Sequence, residues 1–176
     1  IDVISLPLAY SNKDSLFRRG WIFLRFALRS VRLALELDCD LVFATSKGRV
    51  KRTSLKDYRN VNRGGIIAIA LNDGDNLVGV ISTSGTDHVL LATKEGMAIR
   101  FDEDDARVMG RDTAGVKGIE LAESDEVVGI VRCDEVRALL TVTSNGFGKR
   151  TSFEEYRLQG RGGKGIITMK TTDKTG

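Results

Sequence analysis

The sequence predicts an all-β, propeller-like repeat with blades of about four strands, and three observations carry that reading. Residues 41–52, 90–100 and 139–150 are copies of one pattern, Leu-Val-Phe-Ala-Thr-Ser-Lys-Gly-Arg-Val-Lys-Arg in its first occurrence. Their turn glycines, Gly48, Gly96 and Gly146, fall 48 and 50 residues apart, the length of one propeller blade. Finally, 19 glycines against a single proline mean that the chain turns on glycine, as many short strands with tight connections require.

Each copy reads as strand, turn ending in glycine (Lys47-Gly48, Glu95-Gly96, Asn145-Gly146) and second strand, the signature of a two-residue β-hairpin. A glycine-containing loop and a further strand follow each one, expected at 66–71, 118–121 and 166–169. An acidic turn then leads into another apolar run, 76–81 and 126–131, which completes about four strands per period. On this reading the repeats span 41–89, 90–138 and 139–176, the last incomplete, so that 41–176 forms part of a wheel rather than a closed one.

Residues 1–40 do not follow the period. The post-loop leucine and the next turn glycine are 25 residues apart in both later units (Leu71 to Gly96, Leu121 to Gly146), but 40 apart from Leu8 to Gly48. Residues 1–8 therefore read as a strand at the tail of a preceding blade, and 9–40 as an atypical arginine-rich insertion. Within it Arg25, Arg29 and Arg32 run beside Leu24, Leu28, Val31 and Leu35 at helical spacing, which predicts an amphipathic helix over 15–37. It is too charged to span a bilayer; it either packs on its own domain or lies on a membrane surface. An isoleucine at position 1 marks the chain as a fragment of a longer one.

Three arginines recur in register with the turn glycines: Arg52, Arg59 and Arg63; Arg100, Arg107 and Arg111; Arg150, Arg157 and Arg161. An acid recurs with them, at Asp57, Asp105 and Glu155, and is expected to pair with the first arginine of its own set. The third arginine opens the glycine loop with no recurring acid beside it, which suits a ligand-facing role, since the planar guanidinium donates two parallel hydrogen bonds to phosphate. The loop 156–165 is the fullest example, with Arg157, Arg161 and Lys164 among Gly160, Gly162, Gly163 and Gly165, where the backbone is free to lie close to an anion.

Net charge is only +3, so its distribution matters more than its total. Residues 47–63 carry seven cations and one acid, and 149–170 six cations and two acids, whereas 94–111 carry four cations against five acids. The outer units thus read as the anion-binding ones, and Lys51, Arg52, Arg59, Arg63, Lys149, Arg150, Arg157, Arg161 and Lys164, with Arg111 of the middle unit, as candidate phosphate contacts. The run Asp102-Glu103-Asp104-Asp105 reads as a solvated edge rather than a metal site.

No catalytic constellation, cofactor motif or metal-ligand spacing is present. His88, the only histidine, reads as a surface residue in a turn. Tyr58 and Tyr156 share one repeat position with Ala106, which points to packing at the loop base rather than nucleophilic chemistry. Cys39 and Cys133 lie far apart with no metal-binding company, as in a reduced cytoplasmic protein.

The segments 48–55, 96–101, 108–119 and 146–165 closely resemble the C-terminal domain of the bacterial DNA gyrase A subunit, and the likeness runs from about Leu41 to Gly176. The resemblance implies a six-bladed β-pinwheel, in which neighbouring blades exchange strands, of which this chain would hold about three blades. It also implies a basic rim that wraps duplex DNA. The family's box Gln-Arg-Arg-Gly-Gly-Lys-Gly is matched by residues 159–165 except at Gly160, although in a late blade rather than the first. The similar domain of the topoisomerase IV A subunit is the near relative.

By that resemblance the expected function is binding and wrapping of duplex DNA without sequence readout. The parent enzyme, completed by a second A subunit together with a gyrase B subunit, would perform ATP-dependent negative supercoiling, its cleavage and ATP-hydrolysing residues lying outside this chain. A propeller that binds acidic protein surfaces is the alternative from another functional class.

Overall fold

A computed structural model of the chain describes residues 39–61 and 64–176. The strand expected at 1–8, the arginine-rich helix expected at 15–37 and Arg63 lie outside the described residues.

Ten strands make up the described chain: β1 (Asp40–Thr45), β2 (Arg49–Ser54), β3 (Leu77–Thr83), β4 (His88–Thr93), β5 (Met97–Asp102), β6 (Val116–Lys117), β7 (Val127–Arg132), β8 (Ala138–Val142), β9 (Gly148–Ser152) and β10 (Ile166–Ile167). The predicted hairpins are β1-β2, β4-β5 and β8-β9, all antiparallel. Their turns differ from the expected two-residue form. Gly48 N–H donates to Thr45 O (3.0 Å), Gly96 N–H to Thr93 O (3.1 Å) and Gly146 N–H to Thr143 O (3.0 Å). Among the described residues only glycines take positive φ, here 78°, 80° and 83°. Each connection is therefore a turn of ordinary hand followed by a left-handed glycine, the three-residue loop with a glycine bulge. Lys47, Glu95 and Asn145 sit inside the turn, where a type I′ turn would have forced them to positive φ.

Blades are completed by exchange. The first sheet has the order β3-β1-β2-β6 and the second β10-β5-β4-β7. Thus β6, from the second repeat, pairs with β2 of the first (Arg49↔Lys117, Val50↔Val116), and β10, from the third, pairs with β5 of the second (Ile166↔Ala98, Ile167↔Met97). The glycine just before each exchanged strand is obligatory. Gly115 (φ 78°) and Gly165 (φ 77°) run so close to the neighbouring hairpin that a Cβ would fall 2.3 Å from Val50 O and Ala98 O respectively.

This exchange also corrects the strand expected after each loop. Only Val116–Lys117 and Ile166–Ile167 form ladders, two residues each, rather than 118–121 and 166–169. Residues 66–71 are not a strand at all. No described hairpin runs beside them, and a strand without a ladder leaves its amides unpaired.

The core joins the first two sheets. Val42, Ala44 and Val50 pack with Val89, Leu91, Ile99 and Phe101, and with Ala106, Ile119 and Val127, all buried. A second cluster places Phe153 and Tyr156 of the third repeat against Leu90 and Ala98 of the second. Cys39 and Cys133 form no disulfide.

Candidate nucleic-acid interface

A short 3-10 turn follows the second strand of each hairpin: Leu55–Tyr58, Glu103–Asp105 and Phe153–Glu155. Each is capped by the residue before it, Ser54, Asp102 or Ser152, whose side-chain oxygen accepts the amide two residues on. This turn decides which recurring cations face water.

The first arginine of the first two sets points to the next repeat, not to the recurring acid of its own. Arg52 is buried and bonds Asp40 (Nε to Oδ2, 2.5 Å) and Asp104 (Nη1 to Oδ1, 2.5 Å), with Glu103 Oε2 at 3.6 Å. Arg100 donates to the carbonyls of Phe153 (2.9 Å) and Tyr156 (3.5 Å) from Nη1, and its Nη2 lies 2.7 Å from His88 Nδ1. The expected pairing with Asp57 and Asp105 gives way to a joint between blades. His88 accordingly belongs to β4, half-buried, with its imidazole against a guanidinium rather than in a surface turn.

Lys51 is likewise removed from any DNA path, because its residue is fully buried. Its Nζ donates to Ala68 O (2.7 Å) and to Arg111 O, and stands 5.5 Å from the Phe43 ring centroid. Burial, the largest influence, pulls its ammonium below the ordinary lysine value. Lys149 holds the same repeat position and reaches the matching carbonyl, Thr168 O, at 3.4 Å. The tyrosines complete this strut, as Tyr58 Oη donates to Ala68 O (2.9 Å) and Tyr156 bonds Thr168. In the middle unit lysine and tyrosine are replaced together by Ile99 and Ala106, both buried. An apolar pair there fills the space of a polar one.

Arg161, expected to face a ligand, is stapled to the middle repeat instead. Its Nε donates to Asp105 O (2.6 Å), its Nη1 to Lys117 O (3.0 Å) and its amide to Asp105 Oδ2 (3.3 Å). The acidic run 102–105 is solvated only in part, at Asp104 and Asp105, and all four of its residues are engaged. Asp102 caps its turn, Glu103 is buried and accepts the amides of Gly85 and Asp87 (both 2.7 Å), Asp104 holds Arg52, and Asp105 holds Arg161. Arg52 of the first unit thus pairs with acids of the middle one, and the guanidinium of Arg161 is taken up by middle-unit carbonyls, which makes the charge tally by segment misleading.

Lys149 is nonetheless exposed, and the recurring cation that stays at the surface in every copy is the second arginine of each set. Arg59, Arg107 and Arg157 are exposed at one repeat position, one or two residues after the 3-10 turn, in all three repeats. Lys164 is exposed in the glycine loop, and Arg111 is half-buried. Arg150 is exposed too, but at the repeat position where Arg52 and Arg100 form joints. Arg107 lies outside the set to which the sequence points, although the register alone would have found it. Among the described residues no group of histidine, cysteine and carboxylate side chains is arranged to hold a metal ion, and no helix is long and apolar enough to cross a membrane.

Fold and surface together define a strand-exchanged β-propeller that presents an exposed arginine at the same position of all three repeats. Three successive stretches, 40–84, 87–134 and 137–176, match the family described as DNA gyrase C-terminal domain, beta-propeller, and the chain belongs to that family. It is 55% identical over 136 residues to the DNA gyrase A subunit of Clostridium acetobutylicum, covering 77% of this chain and 16% of that protein. It is 50% identical over 80 residues to the same subunit of Halalkalibacterium halodurans, covering 46% of this chain and 10% of that one. The chain therefore spans about a sixth or less of these relatives. Among solved structures it is similar to the C-terminal domain of DNA topoisomerase IV (TM-score 0.74, 29% identity, 78% of this chain and 43% of that one). The DNA gyrase A C-terminal domain gives TM-score 0.71 at 31% identity, covering 79% and 46%.

Proposed function

We propose that this chain binds duplex DNA through its phosphates, without reading sequence, and bends it along the blades as part of a gyrase A subunit. The observation that carries this reading is the recurrence of Arg59, Arg107 and Arg157, exposed at one position in three successive repeats. A regular row of cations suits a regular row of phosphates and carries no base information. Lys164 adds a fourth exposed charge in the loop richest in glycine. Wrapping would present a second duplex to the cleavage gate of a cytoplasmic holoenzyme, in which a second A subunit together with a gyrase B subunit supplies the ATP-driven chemistry. The domain's own work would be mechanical and electrostatic. Identity of 50 to 55% to gyrase sequences favours that parent over topoisomerase IV.

Fluorescence anisotropy with random duplex DNA across a salt series tests binding. Four phosphate contacts give a slope of about −3.6 in log K against log salt, hence a loss of roughly 150-fold between about 50 and 200 mM. Absence of binding at the low-salt end would favour the acidic-protein alternative. Ligation of nicked circles with the protein present tests wrapping, and an unchanged linking number would leave binding without wrapping.

A further inference from the structure

An exposed apolar residue directly follows both Arg107 and Arg157. Val108 is 50% exposed and Leu158 53% exposed, and each stands 12 residues after the turn glycine of its repeat, Gly96 or Gly146. Val108 is the telling case, because the repeats before and after its own are both described and still leave it open. A single exposed valine calls for no explanation. Its recurrence as leucine at one repeat position, beside an exposed arginine each time, does.

The fold holds these side chains out. Val108 bridges Arg52 and Leu158 bridges Arg100, both in parallel, with Met109 N–H donating to Arg52 O (2.8 Å) and Gln159 N–H to Arg100 O (2.9 Å). The backbone is thereby fixed to the preceding hairpin, so little freedom is left to lose when a partner packs there. The ground beyond is clear as well: Gly110 and Gly160 are exposed, and a Cβ on either would meet nothing within 4 Å.

A cation followed at once by an apolar side chain matches one class of partner. In duplex DNA every phosphate is flanked along its strand by deoxyribose, whose ring edge is apolar. A guanidinium that holds a phosphate therefore carries the next residue of its own chain towards a sugar. An acidic protein surface offers carboxylates without that fixed apolar neighbour.

We propose that Val108 and Leu158 pack against deoxyribose beside the phosphates held by Arg107 and Arg157. This rests on the DNA-binding reading above and adds to it a component of binding that salt does not weaken. Counterion release sets the slope of affinity against salt, whereas burial of apolar surface shifts affinity by one factor at every salt concentration. Such contacts touch sugars and not base edges, so they strengthen binding without adding sequence readout.

Fluorescence anisotropy of the whole 176-residue chain with random duplex DNA across a salt series separates the two components. Leu158→Asn, which gives this position the residue type that the first repeat has at Asn60, should lower affinity about four- to tenfold at every salt concentration, the worth of burying about half a leucine side chain. Val108→Thr, of the same shape, should lower it in the same manner. Val108→Leu should raise it about twofold, a gain that no loss of folding imitates. All three keep the salt slope of the parent, whereas Arg157→Ala makes it shallower. Unchanged affinity in Leu158→Asn and Val108→Thr overturns this inference and leaves the DNA reading in place, as does a loss accompanied by a shallower slope. No binding by the parent chain at about 50 mM salt overturns the DNA reading itself, and this inference with it.

Discussion

Replacing Arg52 by methionine tests the claim that this arginine is an inter-blade joint and not a DNA contact. The side chain is 9% exposed, and the change strands Glu103, whose carboxylate is fully buried and whose Oε2 has Arg52 Nε at 3.6 Å but no hydrogen bond among the described residues. Breaking a buried ion pair by removing one partner costs about 3 to 5 kcal/mol. The lower end applies here, because Glu103 Oε1 keeps its two amide bonds and the Asp104 side chain, 72% exposed, returns to water. At about 2 to 4 °C per kcal/mol for a domain of this size, roughly 3 kcal/mol lowers the melting temperature by about 6 to 12 °C. The exposed Arg157→Met is the control and should stay within about 0.5 kcal/mol of the parent. Adding Glu103→Gln to Arg52→Met should recover part of the loss, since the stranded charge is then gone. Circular dichroism melts at neutral pH read all of these. Equal melting of Arg52→Met and Arg157→Met would refute the joint.

In the DNA titration the expected order reverses: Arg157→Ala or Arg107→Ala should lower the salt slope by about 0.9 each, while Lys51→Met leaves it unchanged in the folded protein. Asp75 supplies an acid-limb prediction. Burial works against its charge, but the amides of Lys47 and Asn76 and the hydroxyls of Thr45 and Ser46 hold the carboxyl below the ordinary aspartate value. A folded value below the unfolded one stabilises fully above about pH 4, and that stability fades as pH falls through the folded value. Asp75→Asn should therefore cost about 1 to 2 kcal/mol at neutral pH and flatten the loss of stability below about pH 4, read from urea midpoints. Finally, burial, the largest influence, pushes the Cys133 thiol up to about 11. Alkylation at about pH 8, followed by peptide mass, should then proceed on the order of tenfold or more slowly at Cys133 in native protein than in urea.

The hairpins were legible because their signal is local. A glycine able to take positive φ between two apolar strands fixes the turn, and three copies at one spacing fix the repeat. Which strand completes which blade is not local. Val116–Lys117 carries no mark of pairing with Arg49–Val50, and its extent is set by how long the neighbouring hairpin runs beside it. The same limit explains the overlong strands expected at 118–121 and 166–169, since apolar character there records burial of Ile119 and not a ladder.

The site was less legible, for a reason that lies in the exchange. Counting charge along a segment assumes that a cation is neutralised by acids nearby in sequence, and in an ordinary blade that assumption is fair. Here each blade is finished by its successor, so a cation can find its partners about 50 residues away: Arg52 the carboxylate of Asp104, Arg161 the carbonyl of Asp105. The segment with most acids supplies the counter-ions of Arg52, and the basic surplus of the outer units is partly structural. A better guide is a repeat position that keeps a cation exposed to water in every copy. The second arginine of each set meets that condition in the described repeats, as Arg59, Arg107 and Arg157. For a chain built by strand exchange, a DNA-facing residue is therefore better sought by its register in the repeat and its distance from the inter-blade joint than by the richness in cations of the segment around it.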